Sequence, residues 1–501
     1  MLASLRFALV VASAMAAAVV HAGPYDGWKP HDYCNDLDGM DATKIQPLAA
    51  DQEELVESLA QVQIIARHGA RAPYSRLFCW DKGHHSPMNA KWNCTTTSVS
   101  NQNIGFNEES GFGRLYRKNY MDGENILPGN CVVGGLLPLG RQQHLKNGLI
   151  LRDAYIGDGP LKIFPHANLS LLPLDQIYLR SDDQERTLGS GQALMDGIFP
   201  PDGSLSRNVE HMLTWNVADY STDHVNANEN ICPLMGFIGN LSNNSPAFMN
   251  HINAAVQLKT TKDFHDVVGN FSWDTVLECL STARCNDLPL PDGVDEDKFT
   301  KVFSEVEARE RLYLTYNESW FAKTAMQPLV HEIITRLDAL VEGKPTAQKF
   351  AITLGHDSTI MPFMAAIVKE NWDGKWTPYA GVLSMEIYKL KAGSFGVRML
   401  FQGKPVHIPE CSDTLCSLKE FEKAIAFGRT RRNCDAPATT ESSALSSDAQ
   451  PKQFSFSQYA SAAILLGLVA LCAFLGIRSQ RQRKKSTRGR WGDDESKNLL
   501  G

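Results

Sequence analysis

Short apolar runs that end abruptly in polar residues recur along the chain and predict buried β-strands. The clearest runs are Val62–Ala66, Gln176–Leu179 and Phe350–Leu354. A helical pattern over Gln184–Ile198 follows the second run, and Pro200-Pro201 ends it. Because strand-like and helix-like segments alternate in this way, we expect the α/β class, with a mostly parallel sheet flanked by helices.

The segment from 202 to 337 departs from this alternation. Its apolar positions are mostly helical in spacing, and polar loops separate them. We therefore expect a helical cap domain inserted into the α/β core at about 202–337. From 23 to 434 the composition is otherwise even and shows no internal repeat, which indicates one large globular domain.

Two long apolar segments lie near the ends of the chain. Residues 1–22 combine a lone charge at Arg6, an apolar stretch and a small-residue site before position 23, which predicts a cleaved secretory signal peptide. The segment 459–477 has no charged residue and is long enough for one transmembrane helix. Seven basic residues between 478 and 490 place the tail, 478–501, in the cytosol. The expected topology is that of a single-pass type I membrane protein.

The region before the membrane segment carries two signs of an oxidising, extracytosolic compartment. Six N-glycosylation motifs precede residue 459, at Asn93, Asn168, Asn240, Asn243, Asn270 and Asn317. Ten of the eleven cysteines also precede it, and an even number there predicts up to five disulfides. Residues 435–458 are small and polar, so they are expected to form an unfolded stalk rich in Ser, Thr, Pro and Ala.

Composition excludes some partners and cofactors. The 501 residues are 43% hydrophobic, which is enough for a sizeable core, and the net charge of -7 argues against a nucleic-acid partner. The sequence has no Cys-x-x-Cys pair, no His/Cys metal spacing and no phosphate-binding glycine loop. We therefore expect no metal and no cofactor.

The candidate chemistry lies where the predicted strands end. Arg67-His68-Gly69-Ala70-Arg71 follows the first strand, and His356-Asp357 follows the strand ending at Leu354, after one glycine. Sites in parallel α/β sheets form beyond the carboxyl ends of the strands, so these groups should meet in one crevice. Arg186 lies in the first turns of the helix after the middle strand and can point into the same crevice.

Arginines around a histidine are typical of a phosphate pocket. Arginine carries a fixed charge and forked donors, which suit the oxygens of a phosphoryl group. Nearby positive charge should keep His68 neutral, the form that can attack phosphorus. Gly69 is expected to let the backbone approach an anion closely. Asp357 is best placed to protonate a leaving group, and a carboxyl donor must first be protonated, which predicts an acidic working pH.

These motifs resemble those of the histidine acid phosphatases, which form branch 2 of the histidine phosphatase superfamily. The resemblance covers about 62–434 and implies a phosphoglycerate mutase-like core. Its segments are Arg67–Pro73, Leu139–His144, Arg180–Thr187, His356-Asp357 and the C-terminal cysteines Cys411, Cys416 and Cys434.

The resemblance implies an acid phosphatase that hydrolyses phosphate monoesters at acidic pH through a phosphohistidine. His68 would be the nucleophile and Asp357 the proton donor. The implied phosphate-binding residues are Arg67, Arg71, Arg186 and His356. A local disulfide between Cys411 and Cys416 is also expected. With its signal peptide, stalk and membrane segment, the chain resembles membrane-bound acid phosphatases of lysosomes or endosomes.

One stretch departs from the family pattern. The link from Pro73 to Gly140 is much longer than in ordinary acid phosphatases, and it contains Cys79, Cys94 and Cys131. We expect it to form a disulfide-stapled flap near the mouth of the pocket, which leaves the range of substrates open.

Two alternative functions stay open on the sequence. One is a phytase-like or sugar-phosphate phosphatase of the same fold, which basic residues in the flap and cap would favour. The other is a catalytically silent membrane glycoprotein, in which loss of His68 or of a phosphate-binding arginine is expected. All of those residues are present. The oligomeric state is also open, a homodimer included.

The end of the tail carries a candidate sorting signal. Glu495 precedes Leu499-Leu500 by four residues, in the manner of an acidic dileucine motif. Clathrin adaptors bind such motifs as extended peptides. We therefore expect a clathrin adaptor as a partner, and residence in endosomes or lysosomes.

Overall fold

The computed structural model describes residues 24–25, 27–74, 79–80, 86–94, 99–100, 116–117, 126–200 and 213–436. The chain divides into a first unit that ends at Ala436 and a second unit, Pro437–Gly501. The predicted signal peptide, membrane segment and tail, and nearly all of the stalk, lie outside the described residues. No helix within the described residues is both long and apolar enough to cross a bilayer.

Strands and helices alternate through the described part of the chain. The strands are β1 (Val56–Arg67), β2 (Val99–Ser100), β3 (Tyr116–Arg117), β4 (Ile177–Asp182), β5 (Trp215–Ala218), β6 (Phe350–Gly355), β7 (Val382–Leu390), β8 (Phe395–Phe401), β9 (Lys404–Pro405) and β10 (Leu415–Ser417). The α-helices are α1 (Ala50–Leu55), α2 (Pro138–Tyr155), α3 (Glu185–Ile198), α4 (Pro233–Asn243), α5 (Pro246–Ile252), α6 (Ala255–Val268), α7 (Trp273–Arg284), α8 (Glu296–Val341), α9 (Asp357–Ile367) and α10 (Leu418–Ala424).

The central sheet is mixed, and the expectation of a mostly parallel sheet is wrong. Its order is β10-β8-β7-β1-β6-β4-β5, with β9 paired to β8. The pairs β1–β6, β6–β4 and β4–β5 are parallel. The strands on the other side of β1 are antiparallel. The α/β class itself is confirmed, since helices cover both faces of this sheet.

The antiparallel half follows from the path of the chain beside the candidate site. After α9, the chain returns to the carboxyl end of β1, where the Ala380 N–H donates to the His68 carbonyl at 2.9 Å. The Arg67 N–H donates to the Gly381 carbonyl at 2.9 Å. Because β7 starts at Val382, directly after this contact, it must run against β1. The hydrophobic pattern of the sequence does not show where this return path enters the sheet, so it does not predict the direction of β7.

The register brings the ends of the three predicted strands to one edge of the sheet. Arg67 of β1 lies opposite Gly355 of β6, and Arg180 of β4 lies opposite Thr353 of β6. All three strands are therefore confirmed, with somewhat longer bounds for β1. The polar groups that follow them meet beyond this edge, as the sequence indicates.

Both faces of the sheet are buried, which explains the continuous apolar runs. On one face Ile65 packs with Ile333 of α8 and Phe363 of α9. On the other face Ile64 packs with Leu151 of α2 and with α3. Successive side chains of a strand point to opposite faces, so both alternating sets of side chains are apolar in the run Ile64–Ala66.

The helical cap is smaller than the predicted 202–337. Trp215–Ala218 forms β5 and pairs with β4, so this segment belongs to the sheet. Helix α8 is interrupted at Tyr316–Ser319, and after that interruption it packs on the sheet, where the Arg336 Nε–H donates to Gln63 Oε1 of β1 at 2.9 Å. The cap thus comprises α4 to α7 and the first half of α8. A helical pattern alone does not tell a cap helix from one that covers the sheet.

Five disulfides join the ten cysteines of the described domain, as the even cysteine count indicated. The pairs are Cys34–Cys285, Cys79–Cys279, Cys94–Cys131, Cys232–Cys434 and Cys411–Cys416. The last is the expected local bridge. In the long link after Pro73, one bridge closes the link on itself and Cys79 ties it to α7 of the cap.

Candidate active site

The loop after β1 is held by side chains from the two helices beside it. His144 of α2 donates from Nε2 to the Arg67 carbonyl at 2.8 Å. The Ala70 N–H donates to Gln143 Oε1 of α2 at 2.8 Å, and the Gly69 N–H donates to Ser190 Oγ of α3 at 3.0 Å. Each of these side chains is buried. The loop that carries His68 is therefore rigidly positioned before any substrate binds.

Gly69 is needed for close packing of two backbone segments, whereas the sequence led us to expect that it lets the backbone approach an anion. A Cβ on Gly69 would lie 2.3 Å from the Gly140 carbonyl oxygen, and a Cβ on Gly140 would lie 2.3 Å from the Ala70 carbonyl oxygen. The loop after β1 and the first turn of α2 thus touch backbone to backbone. Both glycines serve this close approach, and α2 can deliver Gln143 and His144 to the loop because of it.

We predict that Gly140→Ala destabilises the protein by about 1–3 kcal/mol, because the added Cβ overlaps the Ala70 backbone. The matched control is Gly39→Ala, where nothing lies within 4 Å of the added carbon. Thermal unfolding of the two variants measures the difference. Equal melting temperatures for both would contradict the proposed backbone contact.

His68 is a buried, neutral imidazole with one defined tautomer. Its side chain is 2% exposed, and Nδ1 lies 2.8 Å from the Gly69 carbonyl oxygen. A carbonyl can only accept, so Nδ1 carries the proton and Nε2 carries the lone pair. Burial, followed by the charges of Arg186 and Arg67, holds the pKa of His68 well below its usual range. Such a group is suited to nucleophilic attack.

Three arginines surround His68, and each has a donor that no described group satisfies. The Nε atoms of Arg67, Arg71 and Arg186 are buried and have no hydrogen-bond partner among the described residues. Arg67 is fully buried between the rings of Tyr33 and Tyr379, with Cζ 4.9 Å and 4.7 Å from their centroids. Leaving buried donors unpaired costs free energy, and an oxyanion would relieve that cost.

Arg186 is charged at any acidic pH. Burial, followed by the nearby charge of Arg71, lowers the pKa of Arg186, but only to about 10. Its guanidinium lies 5.5 Å from the Tyr74 ring centroid. The structure therefore brings Arg186 into the same pocket as Arg67 and Arg71, as the sequence suggested.

Glu278 of α7 is a site residue that sequence reasoning missed. Its carboxylate accepts two hydrogen bonds from Arg71, at 2.8 Å and 3.0 Å, and a third from the Tyr74 N–H at 2.6 Å. Burial opposes its charge, but Arg71 outweighs burial and lowers the pKa of Glu278. The cap thus fixes Arg71 from outside the core, and no local signal in α7 marks this role.

Asp182 is the second missed residue. Its Oδ2 lies 2.5 Å from Nε2 of His356, and this pair is buried. Burial alone would raise the pKa of Asp182, but the hydrogen bond from His356 lowers it. The ring of His356 is held 5.2 Å from that of His68, centroid to centroid. Asp182 lies within the motif Arg180–Thr187, but the sequence does not show that it contacts His356.

Arg180 has a structural role rather than a place in the anion pocket. It forms a buried ion pair with Asp223 and also donates to the Ser181 carbonyl. This pair links β4 to the segment that follows β5.

Asp357 begins α9 and is ionised in the unliganded site. Its Oδ2 lies 2.9 Å from Arg67 Nη2 and accepts the indole N–H of Trp376 at 2.8 Å. Burial raises the pKa of this carboxyl, but Arg67 and the Trp376 hydrogen bond outweigh burial and lower it to about 2. The carboxyl that the sequence names as the proton donor must therefore gain a proton before the chemical step, because its surroundings favour the carboxylate.

The family model for the histidine phosphatase superfamily (branch 2) matches residues 58–402. The chain belongs to this family. Its phosphatase relatives include lysosomal acid phosphatase of Xenopus laevis, which is 25% identical over 310 residues, or 58% of this chain and 68% of that protein. Counting factor 60 of Dictyostelium discoideum is 28% identical over 372 residues, or 73% of this chain and 84% of that protein.

A solved structure shows the same fold. The Hafnia alvei phytase in complex with myo-inositol hexakis sulphate matches with a TM-score of 0.50 and 14% identity, and the match covers 76% of this chain and 99% of that one. At this identity the likeness concerns the fold alone. The family matches confirm the predicted membership of branch 2 and show that the chain is a phosphatase.

Proposed function

We propose that this phosphatase is an acid phosphatase that hydrolyses phosphate monoesters through a phosphohistidine on His68. One observation carries the proposal: a neutral, tautomerically defined imidazole lies among three arginines whose buried Nε donors have no partner in the part of the chain that the structure describes. This arrangement suits an anionic phosphoryl group and an uncharged nucleophile.

The chemistry has two steps. Nε2 of His68 attacks phosphorus, the bond from phosphorus to the ester oxygen breaks, and Asp357 gives that oxygen a proton. A water then loses a proton to the Asp357 carboxylate and attacks phosphorus, and the bond from phosphorus to nitrogen breaks. His68 and the protonated Asp357 are restored as phosphate leaves. Fixed arginine charges stabilise the oxygens throughout.

Asp357 must gain its proton when substrate arrives. A phosphoryl group beside Arg67 adds negative charge next to the carboxylate, which favours the protonated form. At pH 4 to 5 the substrate monoanion also carries a proton of its own. We therefore attribute the acidic pH optimum to the pKa of Asp357 in the enzyme–substrate complex rather than to its pKa in the free enzyme.

This account predicts proton uptake on ligand binding. Inorganic phosphate binding at about pH 4.5 should take up a fraction of a proton, since the pKa of Asp357 rises from about 2 in the free site. Calorimetric titration in two buffers of different ionisation enthalpy measures the uptake. The uptake should vanish in Asp357→Asn and fade as the pH rises past the pKa of the complex. Equal uptake in both proteins would exclude Asp357 as the acceptor.

Activity on a panel of phosphate esters across pH 3 to 8, with the detergent-solubilised full chain, tests the proposed reaction directly. Turnover that is highest at acidic pH and inhibited by inorganic phosphate supports it. A complete absence of turnover would favour the alternative of a catalytically silent glycoprotein. The intact set of pocket residues argues against silence.

We also propose a single-pass type I protein of endosomes or lysosomes, with the catalytic domain in the lumen. Six sequon asparagines support this topology, because all six are exposed at the surface of the described domain. Five disulfides are typical of an oxidising compartment, and relatives include lysosomal acid phosphatases. The membrane segment 459–477 and the tail signal are argued from sequence alone.

The sorting proposal predicts that Leu499→Ala with Leu500→Ala raises the amount of protein at the plasma membrane. Loss of the apolar contact should weaken adaptor binding and slow internalisation. Surface biotinylation of the full-length chain measures this, with Asn498→Ala as the neighbouring control. An unchanged surface fraction would mean that the dileucine does not direct sorting.

A further inference from the structure

A cavity of about 570 Å³ opens beside the phosphate pocket, between the core and the cap. Asp357 and Arg71 are among the residues that line it. Its volume far exceeds that of a phosphoryl group, so it has room for the rest of a substrate. A larger cavity, of about 900 Å³, is lined by none of the candidate catalytic or phosphate-binding residues.

The wall of this cavity is mainly aromatic and aliphatic. Eight aromatic and aliphatic side chains line it, namely Tyr33, Tyr74, Phe248, Trp273, Leu277, Val306, Tyr313 and Trp376. Four of the aromatic residues, Phe248, Trp273, Tyr313 and Trp376, are only half-buried, so their rings keep apolar surface exposed. Covering such surface with an apolar ligand group is favourable, at about 25 cal/mol per Å² of area removed from water.

The charges of the described lining residues disfavour a polyanionic ligand group. Its two arginines are already paired, Arg71 with Glu278 and Arg309 with Glu305, the latter at 2.7 Å. The guanidinium of Arg309 also lies over the ring of Trp273, 4.3 Å from its centroid. Glu278 and Glu310 also line the cavity. A second phosphate on the substrate would therefore find acidic residues and no unpaired arginine among the described lining residues.

Trp376 connects the apolar wall to the chemistry. Its indole N–H donates to Asp357 Oδ2 at 2.8 Å, so its ring is held directly beside the proton donor. A leaving group packed on this ring would have its ester oxygen near the carboxyl that must protonate it. Trp376 thus couples binding of the leaving group to its departure.

We propose that this cavity binds the leaving group, and that the preferred substrates are phosphate monoesters of uncharged, apolar alcohols or phenols rather than polyphosphorylated compounds. The proposal rests on the proposed acid phosphatase function, and it deepens that function by naming the substrate class. It assigns Trp273 and Trp376 as contacts of the leaving group, and Glu310 as a group that disfavours additional phosphates.

The test compares kcat/KM for four substrates: phenyl phosphate, octyl phosphate, glycerol 2-phosphate and myo-inositol hexakisphosphate. We expect the first two to exceed the last two by about tenfold or more, as burial of an apolar group of this size allows. Phenyl and octyl phosphate distinguish a flat aromatic group from a flexible chain. Equal or higher kcat/KM for the hexakisphosphate would overturn the proposal.

Substitutions of residues in the cavity wall test which side chains produce the substrate preference. Trp273→Ala should reduce the preference for phenyl over glycerol phosphate by about fivefold to tenfold, and Trp273→Phe should restore most of it. Leu258→Ala, at an exposed position of α6, is the control. Glu310→Gln should raise the relative kcat/KM for the hexakisphosphate a few-fold. A uniform loss on all substrates in Trp273→Ala, with no change in Glu310→Gln, would contradict the assigned roles.

An incorrect assignment of the cavity can be distinguished experimentally from an incorrect proposed function. Rapid quenching with labelled phenyl phosphate reports the phosphoenzyme whatever the substrate preference. If a phosphoenzyme forms but the four substrates react equally well, only the assignment of the cavity is wrong. If no phosphoenzyme forms and nothing is turned over, the proposed function itself is wrong.

Discussion

His68→Ala is expected to lower turnover by about 10³-fold or more, in line with the loss of a nucleophile in other covalent mechanisms. The structural reason is that His68 presents an unprotonated ring nitrogen, Nε2, to the anion pocket, with Nδ1 committed to the Gly69 carbonyl. Rapid acid quenching with ³²P-labelled substrate should trap an acid-labile phosphoenzyme on the wild type and none on the variant.

The control for this variant is His265→Ala, which removes an exposed imidazole from α6. It should retain full activity and normal phosphoenzyme. Substrate binding should largely survive in His68→Ala, because the three arginines that hold the phosphoryl group are unchanged. Phosphate trapped on a residue other than position 68, or unchanged turnover in His68→Ala, would overturn the assignment of the nucleophile.

The part of the site that could be predicted from sequence is the part built by local rules. An apolar run predicts a buried strand, and the first polar residue after it lies at the sheet edge where sites form. This reasoning placed His68, Arg71 and His356 in one pocket, and the structure brings them together. Arg186 was placed by the same logic, one helical turn after β4.

What could not be predicted depends on contacts between segments far apart in the chain. Glu278 reaches Arg71 across 207 residues, and Asp182 reaches His356 across 174. Neither contact corresponds to a motif or a fixed spacing in the sequence, because the two partners meet only when the whole domain folds. The ionised state of Asp357 has the same origin, because it depends on Arg67 and on Trp376 at once.

The direction of β7 was missed for a related reason. Hydrophobic alternation indicates that a segment is a strand, but the direction of a strand depends on where the chain re-enters the sheet. Here the loop ending at Gly381 bonds to Arg67 and His68, and thereby starts β7 at the carboxyl end of β1. The same loop carries Trp376 into the site beside Asp357, and its Thr377 carbonyl accepts a hydrogen bond from Arg67 Nη1 at 2.5 Å. The antiparallel half of the sheet and the completion of the pocket therefore share one cause.

Asp357→Asn is expected to lower turnover of alkyl phosphates by about 10²-fold or more, within the range for loss of general acid catalysis. Asparagine keeps the size and polarity of the side chain but cannot transfer a proton. Phenyl esters with electron-withdrawing substituents should lose much less in the first step, since their oxygens leave with little protonation. A plot of phosphoenzyme formation rate against leaving-group pKa should therefore be steeper for the variant than for the wild type.

This experiment separates proton donation from positioning. The Asp357 carboxylate also lies 2.9 Å from Arg67, so its loss could disturb phosphate binding instead. A disturbed Arg67 would reduce the rate equally for all leaving groups, and the two plots would stay parallel. Asp175→Asn, at an exposed position before β4, is the control and should change neither slope nor rate. Only a slope that steepens in Asp357→Asn assigns the proton to this carboxyl, and parallel plots would give it a positioning role through Arg67.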